Sequence, residues 1–528
     1  MRPIVLTLLA GCVDEADLAG EDEPVTEAPP DWIEAGEPVA CDGGPSAPSY
    51  VDVARDWGLG GIHDPDYAHA GGAGAGLSDL DLDGDLDFVL AYWNTDAQVF
   101  WRDGDAFLPG PTLGAGQGGM PQGVGLVDHD ADGDWDVAVN ASDNRAAFWR
   151  NDGGSFTEAT ELVYPEGTGL AWDPPAPADW DLDGDVDLYL PALSVQSTAR
   201  ADRLLRNDGT GRMEDVTAAF LPETQGSRTF QAFWFDMDGD MYPEAYGIND
   251  QGWTMGGNVL FHNDGGQGFT SLVDTCFCAT PVAGMSGDAA DVDGDGLMDV
   301  YSGNSDASNL YLNAGDGTFV DAAVTAGATE SLAPGDLDMV WGSLFLDHDN
   351  DGDVDILAVH GDLYSEFDPN EPLDLADSLL SQQEDGTFVD VAADYGIDAL
   401  DSGRSIIVED LNGDGVLDML VTVITDWPHL WMSDGCTEAG WLEIEVAGVG
   451  LNPHGVGARV EIEAGGRRQV AYNWPQSGLN ATREPSVHFG LGDAQTVDWM
   501  RVTLPTGETK ETTAPFSARR RVVARFDE

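Results

Sequence analysis

An acidic nine-residue loop that returns seven times is the strongest constraint this chain places on its own fold. It reads Asp-x-Asp-x-Asp-Gly-x-x-Asp, or a near variant, and starts at Asp79, Asp128, Asp179, Asp236, Asp291, Asp347 and Asp410. Successive starts lie 49, 51, 57, 55, 56 and 63 residues apart. Periods of that size mark an array of like units, none of which buries a core alone. After each loop comes a β-rich run, such as FVLAYW or DLYLPAL, and then an aromatic-rich run, such as VFWR or AFWR. A turn such as RNDG or HNDG follows, whose residues supply the φ > 0 positions of tight hairpins. An outer strand ends the unit, clearest as GTFVDAA at 317–323 and GTFVDVA at 386–392. Three to four antiparallel strands per unit predict an all-β chain: a seven-bladed β-propeller over 49–436, then a small β domain over 437–528.

The ring has a visible seam. The seventh unit reaches Ser433-Asp434-Gly435 without an outer strand, while YVDVA at 50–54 nearly repeats FVDVA at 388–392. Residues 50–54 are therefore expected to complete the seventh blade, pairing near 427–432.

The loops call for a cation. Residues 49–436 hold 74 acidic against 10 basic side chains, out of a net charge of −76 for all 528 residues. Like charges about 4 Å apart repel by about 4 kcal/mol even at an effective dielectric of about 20. Hard oxygen donors in a flexible loop suit Ca²⁺ better than Mg²⁺. Positions one, three, five and nine are the expected ligands, giving up to seven Ca²⁺, one per blade. They are Asp79, Asp81, Asp83 and Asp87 in the first loop and Asp128, Asp130, Asp132 and Asp136 in the second. The third holds Asp179, Asp181, Asp183 and Asp187, and the fourth Asp236, Asp238, Asp240 and Glu244. The fifth holds Asp291, Asp293, Asp295 and Asp299, the sixth Asp347, Asp349, Asp351 and Asp355, and the seventh Asp410, Asn412, Asp414 and Asp418. An EF-hand is excluded, because no loop has Glu at position twelve and a strand follows instead of a helix. The fourth loop, with Met241 in the glycine place, and the seventh, with Asn412 for an Asp, are expected to bind more weakly.

So acidic a chain does not bind nucleic acid, which requires clustered Lys and Arg. Hydrophobic residues at 42%, including 16 Trp, exclude disorder for most of it. Met1–Gly11 is an Arg and a short apolar run leading to Leu9-Ala10-Gly11-Cys12, which resembles the lipobox of a bacterial lipoprotein signal peptide. On that reading residues 1–12 are signal and lipobox, and Cys12 is acylated. Residues 13–48, with eleven acids, six prolines and no Lys or Arg, form a disordered tether. Val13 after the Cys leans towards the outer membrane or cell surface, and the lipid is the only membrane contact.

Cys41, Cys276, Cys278 and Cys436 allow three pairings. One intervening residue is a poor spacing for a Cys276–Cys278 bond in an extended strand, and structural or free thiols are expected. No nucleophile elbow, HExxH or Walker loop is present, so no catalytic residue is assigned. His129 and His348, at position two of their loops, are expected to point outward. Trp57, Trp172 and Trp253, in loops, are candidates for stacking on sugars.

These residues carry a family resemblance. The loop-plus-strand units resemble FG-GAP/VCBS repeats, and residues 441–526 resemble the ASPIC/UnbV domain of cartilage acidic protein-like chains. The latter rests on WLEIEVAGVG at 441–450, Asn452 with HGVGARVEIEAGG at 454–466, VHFGLGDAQTVD at 487–498 and VTLPTGE at 502–508. The sequence departs from that pattern at Leu504, commonly Trp, and at His454, often acidic. The resemblance implies an extracellular, calcium-binding propeller.

Three functions compete at this level. The first is a monomeric surface binding or adhesion module that recognises a glycan or an extracellular protein. The second is a carbohydrate-active enzyme, such as a polysaccharide lyase, which would show a His, Tyr and Arg cluster at a channel mouth. The third is a scaffold or maturation factor for a secreted protein.

Overall fold

The computed structural model describes residues 28–40, 49–61, 73–92, 95–115, 121–141, 145–165, 174–192, 201–222, 228–250, 256–305, 307–329, 338–362, 375–424, 426–433 and 437–526. Cys12, Cys41, Cys436, Trp172 and Trp253 lie outside them, as does the signal segment.

Each acidic loop joins the first two strands of an antiparallel sheet. In the fifth unit the strands are Gly284–Ala290, Asp299–Asn304, Asn309–Asn313 and Phe319–Asp321, in that spatial order. Seven sheets of this kind occur among the described residues, one per acidic loop. Their innermost strands pack in sequence, and the innermost strand of the seventh unit, Gly403–Glu409, packs on that of the first, Ala73–Ser78. The chain is a β-propeller. Small residues permit the crowded inner packing: a Cβ on Gly125 would meet the Pro175 ring 2.8 Å away, and one on Gly342 the Arg404 carbonyl 2.5 Å away.

The seam closes where the sequence placed it. Tyr50–Asp52 pairs antiparallel with Trp431–Ser433, so the first strand of the propeller completes its last sheet. A charged clasp holds the junction. His429 lies 2.7 Å from Asp52 through Nδ1 and 2.6 Å from Asp401 through Nε2. Burial opposes a charge on His429, but the Asp401 and Asp52 carboxylates overcome it and push its pKa to about 10.

Residues 437–526 form a β domain of two main sheets around Leu442, Ile444, Val460, Ile462, Met500 and Val522. Two expectations are corrected here. Ile33–Ala35, assigned to a disordered tether, pairs antiparallel with Val522–Ala524 and buries Ile33 in that core. An apolar Trp-Ile pair inside the acidic segment supplies the driving force. Cys276 and Cys278 do bond to each other, with Cα atoms 5.2 Å apart. The segment is not an extended strand, because Phe277 between them takes φ +60° and turns the chain.

The C-terminal domain also enters the propeller. Residues 475–484 run down the central channel and touch the innermost strand of every blade. The Asn480 carbonyl accepts the N–H groups of Ala75 and Val124, each at 3.2 Å. Gln476 donates to the Pro177 carbonyl and Ser477 to that of Ile406. Leu479 packs among Phe230, Met285 and Trp341. Ala481–Arg483 adds a fifth, parallel strand to the first blade.

The clasp has a definite pH signature. Its His has a raised folded pKa, so its stabilisation is full below the unfolded value of 6.5 and is lost as pH rises through about 10. His429→Gln should lower the melting temperature most near pH 6, with the gap from wild type closing by pH 10 in matched calorimetry. A gap that stays constant with pH would refute the clasp.

Candidate metal centres on the loop rim

All seven loops share one backbone solution. Position four is left-handed throughout, at Leu82, Ala131, Leu182, Gly239, Gly294, Asn350 and Gly413. Position six is left-handed too, through Gly in six loops and Met241 in the fourth. Such backbone at a non-glycine residue costs on the order of 1–3 kcal/mol and persists only when its surroundings enforce it. Here the position-one carboxylate enforces it, accepting the position-six N–H in every loop. Met241 N–H donates to Asp236 at 3.0 Å, so the fourth loop keeps the common shape despite its sequence. The position-five carboxylate accepts the position-seven N–H in all seven, as from Leu297 to Asp295 at 2.9 Å.

Position nine has a role that spacing alone did not reveal. It opens the second strand of each blade, and its carboxylate clamps the loop to the third strand. Asp299 accepts the N–H of Val292 at 2.9 Å and that of Asn313 at 2.7 Å. Asp87, Asp136, Glu244, Asp355 and Asp418 make the same two bonds, and Asp187 makes the third-strand bond, from Asn207. The hairpin asparagine then reaches the neighbouring blade. Asn151, Asn207, Asn263 and Asn313 donate Nδ2 to the position-two carbonyls of the preceding loops, Leu80, His129, Trp180 and Met237. Gln382 does so to Val292, and Arg102 carries the pattern across the seam to Leu411.

The remaining carboxylate oxygens are what a cation would use. Asp81, Asp130, Asp179, Asp181, Asp291 and Asp347 each have a buried Oδ1 with no hydrogen-bond donor at positions one or three, and in the third loop Asp185 Oδ1 and Asp187 Oδ2 are donorless too. Asp79, Asp81 and Asp87 bring one oxygen each within 4.8 Å of one another, as do Asp179, Asp181 and Asp187, and Asp128, Asp130 and Asp132. Burial, then Asp183 and Asp181, raise the Asp179 pKa to about 8; burial and the Asp81 carboxylate raise that of Asp87 to about 7. A bound cation reverses that balance by supplying the missing positive charge. The donor set therefore fits a hard divalent ion such as Ca²⁺, held by positions one and three with help from five or nine.

The loops differ in their other partners. In the second, Arg150 lies 3.3 Å from Asp130 and 2.9 Å from Asp132, an exposed pairing of small energetic weight. In the seventh, Asn412 spends its amide on Asp414 Oδ2 and the Ser433 carbonyl, while its Oδ1 accepts the Asp414 N–H. His129 and His348 do not point outward. They are 3% and 1% exposed, and their Nδ1 atoms lie 2.5 Å from Asp136 and Asp355. Alternation fails at position two because the left-handed residue at position four curls the loop back over its own start. Trp57 packs against Phe107 at the outer edge of the first blade.

Models of the FG-GAP-like repeat match residues 79–139, 128–190, 236–302, 291–358 and 347–421, more than half of the chain. The chain belongs to the FG-GAP-like repeat family. An "ASPIC and UnbV" model matches residues 448–525 of this FG-GAP-like repeat protein. No curated protein matches it. Among solved structures it is similar to a lectin of Agrocybe aegerita described as recognising non-reducing terminal N-acetylglucosamine. That match has 19% identity and a TM-score of 0.38, covering 59% of this chain and 77% of the lectin. It is also similar to YCF48 of Cyanidioschyzon merolae, with 10% identity and a TM-score of 0.40, covering 73% of this chain and 98% of that one.

The two carboxylate roles separate by mutation. Asp299→Ala strips the acceptor from two N–H groups, each costing about 1–3 kcal/mol when orphaned, with or without calcium. Asp293→Ala should cost stability only when calcium is present, by up to about 2.7 kcal/mol at free ion about 100 times the dissociation constant. Melts of both variants in calcium and in chelator check this; an Asp293→Ala loss that survives in chelator would overturn the assignment.

Proposed function

We propose that this FG-GAP-like repeat protein is a calcium-stapled binding or adhesion module, lipid-anchored through Cys12 outside the cytoplasm and presented to a glycan or an extracellular protein. The observation that supports it best is the set of buried, donorless carboxylate oxygens on five of the seven acidic loops of the propeller. Millimolar extracellular Ca²⁺ satisfies such a set. No helix among the described residues is long and apolar enough to cross a membrane. The C-terminal domain covers the loop rim, so partner recognition falls to the opposite rim and to the outer strands. A lyase or a maturation scaffold remains the competing reading from sequence.

Binding of the anchor-free protein to an array of glycans, in calcium and in chelator, tests the proposal. Calcium-dependent capture of one glycan class is the expected result. If the folded, calcium-loaded protein captures none, glycan recognition is refuted and a protein partner is left.

A further inference from the structure

The C-terminal domain rests on the acidic loops themselves. On the first loop, Glu484 Oε2 accepts Ser78 Oγ at 3.1 Å and the Asp79 N–H at 3.3 Å. On the second, the His454 ring packs at a tilt against Trp135, centroids 4.2 Å apart, and sets Nε2 3.3 Å from Asp128 Oδ2. Tyr472 OH donates to Asp236 Oδ2 of the fourth loop at 2.9 Å. On the sixth, Arg467 pairs with Asp353 at 2.8 Å, and His488 Nε2 meets Asn350 Oδ1 at 2.7 Å. On the seventh, Arg521 donates to the Asp410 carbonyl, and the Trp441 ring lies so close to Gly415 that no Cβ would fit. A cavity of ≈ 210 Å³ remains under the domain, and Asp291 and Asp347 of the fifth and sixth loops line it.

This contact has an electrostatic imbalance. Docking covers position-one carboxylates of several loops, yet the domain brings few free cations to meet them. Arg483 crosses to Glu409 on the inner strand of the seventh blade at 2.8 Å and so meets no loop carboxylate, and Arg521 is spent on the domain's own buried Glu443 at 2.8 Å. Glu484 adds another carboxylate beside Asp79. Covering like charges without a counter-ion is costly, because desolvation strengthens their repulsion. The plug 475–484 belongs to this same domain.

We propose that the C-terminal domain is a calcium-dependent cap: cations in the acidic loops hold it on the rim, and their removal withdraws the 475–484 plug and opens the central channel. The proposal rests on the calcium reading above. By linkage the coupling is reciprocal, so a docked cap raises the affinity of the loops for the ion.

Hydrogen exchange on the whole protein, alongside a calorimetric calcium titration, tests it. With calcium, the amides of Ser477, Arg483 and Glu484 should be as protected as the blade strands, since they donate to Ala481, Pro475 and Leu77 carbonyls. In chelator they should exchange at least about tenfold faster while Asp418–Val423 stays protected. Leu479→Asp, which places a charge in the channel, should weaken calcium binding about 5- to 150-fold, the usual range of such couplings. Calcium binding with unchanged plug exchange overturns the cap and leaves the calcium reading intact. Plug and blades loosening together in chelator also overturns the cap. Absence of calcium binding overturns both.

Discussion

The structure depends on the position-nine carboxylate, which in six of the seven blades does two jobs with its two oxygens. The residue at position nine takes the N–H at position two of its own loop and the N–H at the end of the third strand. A single side chain thus fixes where the loop ends, where the second strand begins and how the third strand registers against it. The hairpin asparagine beside that third-strand N–H then donates to the loop of the preceding blade. Blade geometry and ring geometry are therefore set at the same point. Burial raises the pKa of this carboxylate, to about 7 at Asp299 and Asp87, and the backbone N–H groups on its oxygens oppose that rise by favouring the charged form.

The remaining carboxylates are left in deficit by the same arrangement. Positions one and five spend oxygens shaping the loop, and position three of the first three loops keeps an oxygen no donor reaches, as does position one of the third, fifth and sixth. A fold that concentrates 74 acids against 10 bases in its propeller has few cations of its own to correct this, Arg150 beside Asp130 and Asp132 being one. The proposed divalent ion would correct it, and the loop shape needed to hold such an ion is already imposed by hydrogen bonds. That separation explains why Met241 can stand in a glycine place while the loop keeps its course.

The C-terminal domain makes the loop rim an internal interface. It seats on the loops, inserts a hairpin through the channel and adds a strand to the first blade. At its other edge it recruits Ile33–Ala35 from ahead of the propeller. The segments flanking the propeller on either side, Ile33–Ala35 and 437–526, meet in one domain, while the propeller between them is closed separately by Tyr50–Asp52 and the His429 clasp.

Much of this was legible in the residues. The repeat period, the strand order within a unit, the closing strand at 50–54 and the acidic loops all follow from short-range spacing, because hairpins and chelating turns are built from neighbours along the chain. The inward turn of His129 and His348 was not legible, since it depends on a left-handed residue two places on that spacing cannot reveal. The Cys276–Cys278 bond was misread for the same reason, the turn at Phe277 being a backbone conformation and not a composition. The plug was invisible: nothing in PQSGLNATRE announces a channel-filling segment, because its partners lie on seven strands up to about four hundred residues away in sequence. Local spacing carries local geometry; which surfaces meet across the ring is decided by packing and charge in three dimensions.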